Sequence, residues 1–170
     1  WQGYIVVMFY FLVGSLITRV GMAQKEAEGI AEKRSGARGP ENVWGSALTA
    51  ALCALGVWAT SSGIFPTPQT LHPTPYTLLL LGYVASFSTK LSDTCASEVG
   101  KAYGRSTFLI TTLQPVARGT EGAVSLEGTL AGAAASLAQA LLAWGVGLID
   151  LYGVLWCVVA AFIATNLESV

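Results

Sequence analysis

Charge is what this chain has least of. Only 11% of its residues are Asp, Glu, Lys or Arg, against about 25% in an ordinary soluble domain. Hydrophobic residues make up 53%, and mean hydropathy is +0.58. That shortage argues against a water-solvated globule and for a chain whose solvent is lipid. Histidine is nearly absent: His72 stands alone in a proline-rich connection, which speaks against histidine general-base chemistry and histidine metal sites. Cys53, Cys95 and Cys157 are each isolated among apolar or small residues. They read as packing residues, with neither a disulfide framework nor a metal-site spacing. A net charge of −1 gives no bulk attraction to nucleic acid. No nucleophile–histidine pair, zinc spacing, Walker motif or Rossmann fingerprint is present.

What is there is long apolar sequence. A membrane helix needs roughly 20 mainly apolar residues. Five such spans are expected, at about 1–18, 43–65, 76–99, 126–149 and 151–167, within one domain covering 1–170. The fold class is therefore an all-α, polytopic transmembrane helix bundle. Pro66, Pro68, Pro73 and Pro75 make the second connection extended, and Asp150 marks a tight turn between the last two spans. The chain starts at Trp1, inside an apolar run and without a methionine, and no cleavable targeting segment is recognisable. It is expected to be a processed, partial or trimmed chain.

The basic residues alternate between connections. Five fall between Arg19 and Asn42 (Arg19, Lys25, Lys33, Arg34, Arg38) and none between Pro66 and Pro75; four fall between Lys90 and Ser125 (Lys90, Lys101, Arg105, Arg118) and none around Asp150. The positive-inside rule then puts Trp1 outside, with both long loops and Glu168 facing the cytoplasm or the plastid stroma.

The third span ends in charge. Tyr76–Thr89 is free of Asp, Glu, Lys and Arg but covers only about 21 Å of a core about 30 Å thick. The helix must continue through Lys90 and Asp93, at or inside the membrane boundary. Charges at that depth are costly and usually functional; the plain alternative is a Lys90–Asp93 ion pair at i, i+3. Asp93, Ser97 and Lys101 fall on roughly one side, whereas Glu98 lies about 140° from Asp93. One cation can meet both carboxylates only if the helix bends or another element supplies a ligand. Gly100 and Gly104 permit close approach of a ligand or, equally, of a packed helix.

Two loops complete the set. In the second basic loop, Pro115 breaks the short run FLITTL, which reads as a re-entrant or interfacial piece. Arg118, Gly119, Thr120, Glu121 and Gly122 follow; such a loop can offer backbone N–H groups and a guanidinium to phosphate oxygens. Ser125 is placed to N-cap the fourth span, with Glu127 in its first turn, and Gly128 and Gly132 stand in small-residue packing register. In the first basic loop a short helix is expected to end at Gly36 and Gly39-Pro40. Lys25–Arg34 reads as a solvated, charge-balanced connection, and Arg38 and Asn42, nearer the membrane, as the better binding candidates.

Asp93 and Glu98, the glycines, and Lys101, Arg105 and Arg118 thus collect at one membrane face. Carboxylates together with phosphates are the usual holders of Mg²⁺, and basic groups with N–H donors stabilise a transferring phosphoryl group. The chemistry suggests phosphoryl or nucleotidyl transfer on a lipid, with Asp93, Glu98, Arg118 and Glu121 as catalytic candidates and Asp93 and Glu98 as metal ligands. Lys101, Arg105, Gly100, Gly104, Gly119, Thr120, Arg38 and Asn42 are the candidates for binding substrate or nucleotide.

The runs SFSTKLSDTCASEVGKAYGR, ARGTEGAVSLEGTLAG and ATNLES, with GSLITRVG and RGPENVWGS before them, resemble the integral-membrane phytyl-phosphate kinase family. The pattern of Asp93, Ala96, Gly100, Lys101, Gly104 and Arg105 followed by Glu121-Gly122 is similar, more distantly, to the polyprenol and phytol kinases that use CTP. The resemblance covers about Gly14–Ser169. It implies phosphorylation of phytyl monophosphate to the diphosphate for prenylquinone and tocopherol synthesis, a nucleoside triphosphate donor with CTP favoured, and a plastid envelope or thylakoid membrane. The competing reading is a shortened family member serving as a non-catalytic accessory subunit of a larger membrane complex, such as a photosynthetic one. A transporter using Lys90 and Asp93 as a relay lacks the paired half-motifs of inverted repeats.

Overall fold

The computed structural model describes residues 1–31, 40–64 and 74–169, with backbone alone at 40–46. Among the described residues, six helices and one small hairpin follow in order: α1 (Gln2–Arg19), α2 (Met22–Ala27), α3 (Pro40–Ser61), α4 (Pro75–Tyr103), β1 (Thr107–Leu109), β2 (Ala123–Ser125), α5 (Leu126–Gly145) and α6 (Leu151–Glu168). Arg38 and His72 lie outside the described residues, as does the side chain of Asn42 in the first turn of α3.

Helix α4 is the axis of an all-α membrane bundle. Its 29 residues reach about 43 Å, well beyond the thickness of a hydrocarbon core. Thr74 caps its start, accepting from the Thr77 N–H, and Pro75 takes the first-turn position where its missing N–H costs nothing. Tyr83 donates to the Gly3 carbonyl at 3.0 Å and Phe87 packs on Tyr10, so α1 runs parallel to α4. Gly56 faces Leu79 and Cys53 faces Gly82, which makes α3 antiparallel. Gly132 abuts Ser92 and Gly128 abuts Ala96, so α5 descends. Lys90 meets Glu168, so α6 rises again. The end of α1, α2, the end of α4, the hairpin, the start of α5 and the end of α6 thereby share one end of the bundle.

The core is small and the outside is greasy, the reverse of a soluble bundle. Val6, Tyr10, Val84, Phe87, Leu91, Ala140, Ala143, Val154 and Cys157 are buried together, with Phe87 set 5.4 Å from Tyr10 and 5.2 Å edge-on to Tyr83. Leu52, Leu55, Trp58, Leu130, Leu155, Trp156 and Phe162 point outward. Lipid tails solvate those side chains, leaving close approach of small residues to hold helix against helix. Helices α1, α5 and α6 are long and apolar enough to cross a membrane; α3 has a shorter apolar stretch, Ala47–Ser61.

Several boundaries differ from expectation. The Ser125 side chain caps α5 as its sequence position indicates, accepting from the Gly128 N–H at 3.1 Å. Helix α5 stops at Gly145, four residues before its expected end at 149, because Gly147 turns left-handed at φ 78. Helix α2 ends at Ala27, and Gly29 adopts φ 71, so the helix expected to run to Gly36 is only six residues long. The piece around Pro115, expected to be re-entrant or interfacial, takes the form of antiparallel strands; Phe108 pairs with Val124 on one side and with Pro115 on the other.

Candidate functional site

The charged end encloses a cavity of ≈ 310 Å³, at the lower end of the range for small-molecule sites. Helix α4 supplies Asp93, Ser97, Gly100 and Lys101, and the loop before β2 supplies Gly119, Thr120, Glu121 and Gly122. The first turns of α5 contribute Ser125, Gly128 and Thr129, while α6 closes the side with Phe162, Thr165, Asn166 and Glu168. Three carboxylates (Asp93, Glu121, Glu168), an ammonium (Lys101) and several hydroxyls therefore converge beside a capped helix start, where free N–H groups favour anions. Asp93 and Lys101 are only partly exposed, with side-chain accessibilities of 32% and 21%.

Small residues make that convergence possible. A Cβ on Gly128 would stand 2.5 Å from the Ala96 carbonyl oxygen, and one on Gly132 would stand 2.9 Å from that of Ser92. Gly100 opposes Ser125 and Gly128, so it both packs and lines the cavity. Gly104 packs against Ser125 outside the lining. Gly122 adopts φ 74 with the Ser169 carbonyl 3.0 Å from its would-be Cβ, which seats the loop against the end of α6. Lys90 bridges to both Glu168 oxygens at 3.1 and 3.2 Å and stands 3.9 Å from Asp93; its closer partner is on α6, not the i+3 aspartate.

On the opposite side of α4 the charges do something else. Glu98 is 2% exposed and Lys25 1%; they form a buried ion pair, and Lys25 also donates to the Thr18 carbonyl at 2.8 Å. Lys25 therefore belongs to the interior, which corrects its reading as part of a solvated connection. Arg118 donates to Glu28 at 2.8 Å and to the Ala102 carbonyl at 3.3 Å. It braces the loop against α2 and α4 and stays outside the cavity lining. Ile30 packs on Gly119, whose φ is 79, so α2 and its exit hold the glycine loop from behind. Arg105 is exposed and faces a separate open depression along the hairpin.

A family model described as integral membrane protein DUF92 matches residues 1–170. The chain belongs to this family. An uncharacterized membrane protein of Synechocystis is 68% identical over 170 residues, covering 100% of this chain and 62% of that protein. The chloroplastic protein VTE6 of Arabidopsis thaliana is 46% identical over 169 residues, 99% of this chain and 48% of its own length. An uncharacterized membrane protein of Methanocaldococcus jannaschii is 31% identical over 128 residues, 75% of this chain and 46% of that protein. The DUF92 chain thus spans about half to three-fifths of the curated relatives it matches. The resemblance to the phytyl-phosphate kinase family, read from the motifs, holds across the whole chain in the comparison with VTE6. No solved structure matches it.

Within this DUF92 chain the predicted site residues divide. Asp93, Gly100, Lys101, Gly119, Thr120 and Glu121 meet at the cavity; Glu98, Gly104, Arg105 and Arg118 do not line it. The shared Asp93–Glu98 metal pair is corrected: five residues of helix turn the two carboxylates about 140° apart, Asp93 lines the cavity and Glu98 is taken up by Lys25. Among the described residues, no group of three His, Cys, Asp or Glu side chains could hold a metal ion. Glu168 and Asn166 were missed as lining residues although both lie in the quoted run ATNLES. Nothing local marks Lys25 as a buried cation.

Proposed function

We propose that this chain carries the phosphoryl-transfer site of a membrane-embedded prenyl-phosphate kinase, which converts phytyl monophosphate to the diphosphate with a nucleoside triphosphate, CTP favoured. In that reaction a phosphate oxygen of the lipid attacks the terminal phosphorus of the nucleotide. The bond to the bridging oxygen breaks, and the nucleoside diphosphate leaves. The observation that carries the reading is the cavity's mixed lining, Asp93, Lys101, Thr120 and Glu121, at the charged end of a bundle whose outer face is apolar. An isoprenoid tail has lipid to lie in, and its phosphate reaches the lysine. Lys101 and the N–H groups of the glycine loop bind phosphate oxygens; Asp93 and Glu121 supply carboxylate oxygens.

Those carboxylates fit Mg²⁺, which is commonly held by one or two carboxylates plus substrate phosphates and water and not by a protein cage. Asp93 would be its principal ligand, with Glu121 second, and the chemistry supplied there would be neutralisation of charge on the phosphates. Plastid residence is supported by the chloroplastic relative, while the Synechocystis relative supports a bacterial membrane.

The test is transfer from labelled CTP to phytyl phosphate by purified protein. Labelled diphosphate that disappears without Mg²⁺ supports the reading. No transfer by this chain and none by a full-length relative would overturn it; transfer by the longer protein alone would make this chain one portion of the site.

We also propose five spans, with α3 and α4 joining the three apolar helices. Cysteines placed at Ser35 and Ser106 should be labelled from one face of sealed vesicles and one at Gln69 from the other. Positions 35 and 69 on the same face would end that topology.

A further inference from the structure

Lys101 sits on the shoulder of α4. At 100° per residue it lies about 80° from Asp93 and about 60° from Glu98, within reach of either the cavity or the buried pair. It lines the cavity, yet its ammonium stands 3.5 Å from Glu98 Oε1. The other Glu98 oxygen, Oε2, is held by Lys25, which is itself tied to the Thr18 carbonyl at the end of α1. A lysine on a four-carbon stem loses substantial rotamer freedom when fixed, and a carboxylate gripped from behind supplies that fixation.

We propose that Lys25 and Glu98 are positioning residues for Lys101: Lys25 locks one oxygen of Glu98, and the other aims the Lys101 ammonium at a phosphate in the cavity. The phosphate clause rests on the function proposed above; the aiming of Lys101 does not. A buried ion pair is a weak source of stability compared with apolar residues of the same shape. Stability is therefore a poor reason to keep Lys25 and Glu98 charged, and control over a neighbouring group is a better one. The proposal gives Glu98 a place in the site without making it a metal ligand.

The key variant is the double replacement Lys25→Met with Glu98→Gln, which removes both buried charges together and leaves neither unpaired. The primary readout is the rate at which a small amine-acylating reagent modifies Lys101 in detergent-solubilised protein, followed by mass spectrometry. Acylation requires Lys101 to leave its carboxylate, so the rate reports how firmly it is held. The expected result is a rise of about two- to fivefold at Lys101, the range a partly exposed ion pair supports, with labelling at Lys90 unchanged. Glu98→Asp is the second variant. It keeps the charge and the Lys25 partner but shortens the reach to Lys101, and it should raise the same rate while preserving the fold. Unchanged Lys101 labelling in a folded form of either variant overturns the proposal. Phosphoryl transfer is the separate arm: where the parent is active, KM for phytyl phosphate should rise more than kcat falls. A raised Lys101 rate in the variants, with no transfer by the parent or by a full-length relative, upholds the positioning and defeats the kinase reading instead.

Discussion

The two sides of α4 near its end put the same chemistry to different uses. Asp93 faces a cavity walled by glycines, hydroxyls and the loop before β2, at 32% side-chain exposure. Glu98, five residues on, faces α1 and α2 and is buried against Lys25. On the first side, small residues leave space that a ligand can fill; on the second, a cation fills it already. A carboxylate at membrane depth is therefore not by itself a ligand site. What packs against its face decides whether it is available.

The largest expected effect breaks the closed side. Glu98→Gln alone leaves the Lys25 ammonium buried without its carboxylate, which should cost about 3–5 kcal/mol of stability. Thermal unfolding in detergent reads this directly, and a melting temperature equal to the parent's would mean that the pair is solvated. On the open side, Asp93→Asn should keep or raise the melting temperature, since it removes a charge at membrane depth. Its turnover should fall about 10²-fold, roughly 2.7 kcal/mol of transition-state stabilisation. Full activity in a folded Asp93→Asn protein would end its assignment as the metal-binding carboxylate. The smallest effect lies behind the glycine loop. Arg118→Met removes a half-exposed pair with Glu28, so stability should drop by about 1 kcal/mol or less. A loss as large as that of Glu98→Gln would show that Arg118 carries more of the fold than its surface position indicates.

How much of this was legible depends on range along the chain. The cap of α5 was, because Ser125 acts on an N–H group three residues away; Asp150, read as a turn, also caps α6. The continuation of the third span through Lys90 and Asp93 was also legible, from length alone; α4 in fact runs on to Tyr103. The opposed faces of Asp93 and Glu98 follow from 100° per residue. Arg118 was misread for the opposite reason. Guanidinium, hydroxyl and glycines in succession look like an anion loop, but the partner that takes up this guanidinium, Glu28, lies 90 residues earlier.

By itself the sequence determined that lipid is the solvent, that helices are the elements, and that the charges gather at one end. Composition and periodicity are local properties, and a bilayer leaves few ways to satisfy a backbone. Only the tertiary structure decided that Lys25 is buried, that Glu98 is occupied, that Lys90 prefers Glu168, and that Asp93 and Glu121 share a cavity. Each of those depends on which helix faces are pressed together. Lys25 and Glu98 are 73 residues apart, and no spacing rule reaches that far. The glycines on α4 and α5 bring those helices close enough to settle the matter, because in lipid it is shape, and not aversion to water, that selects which faces meet.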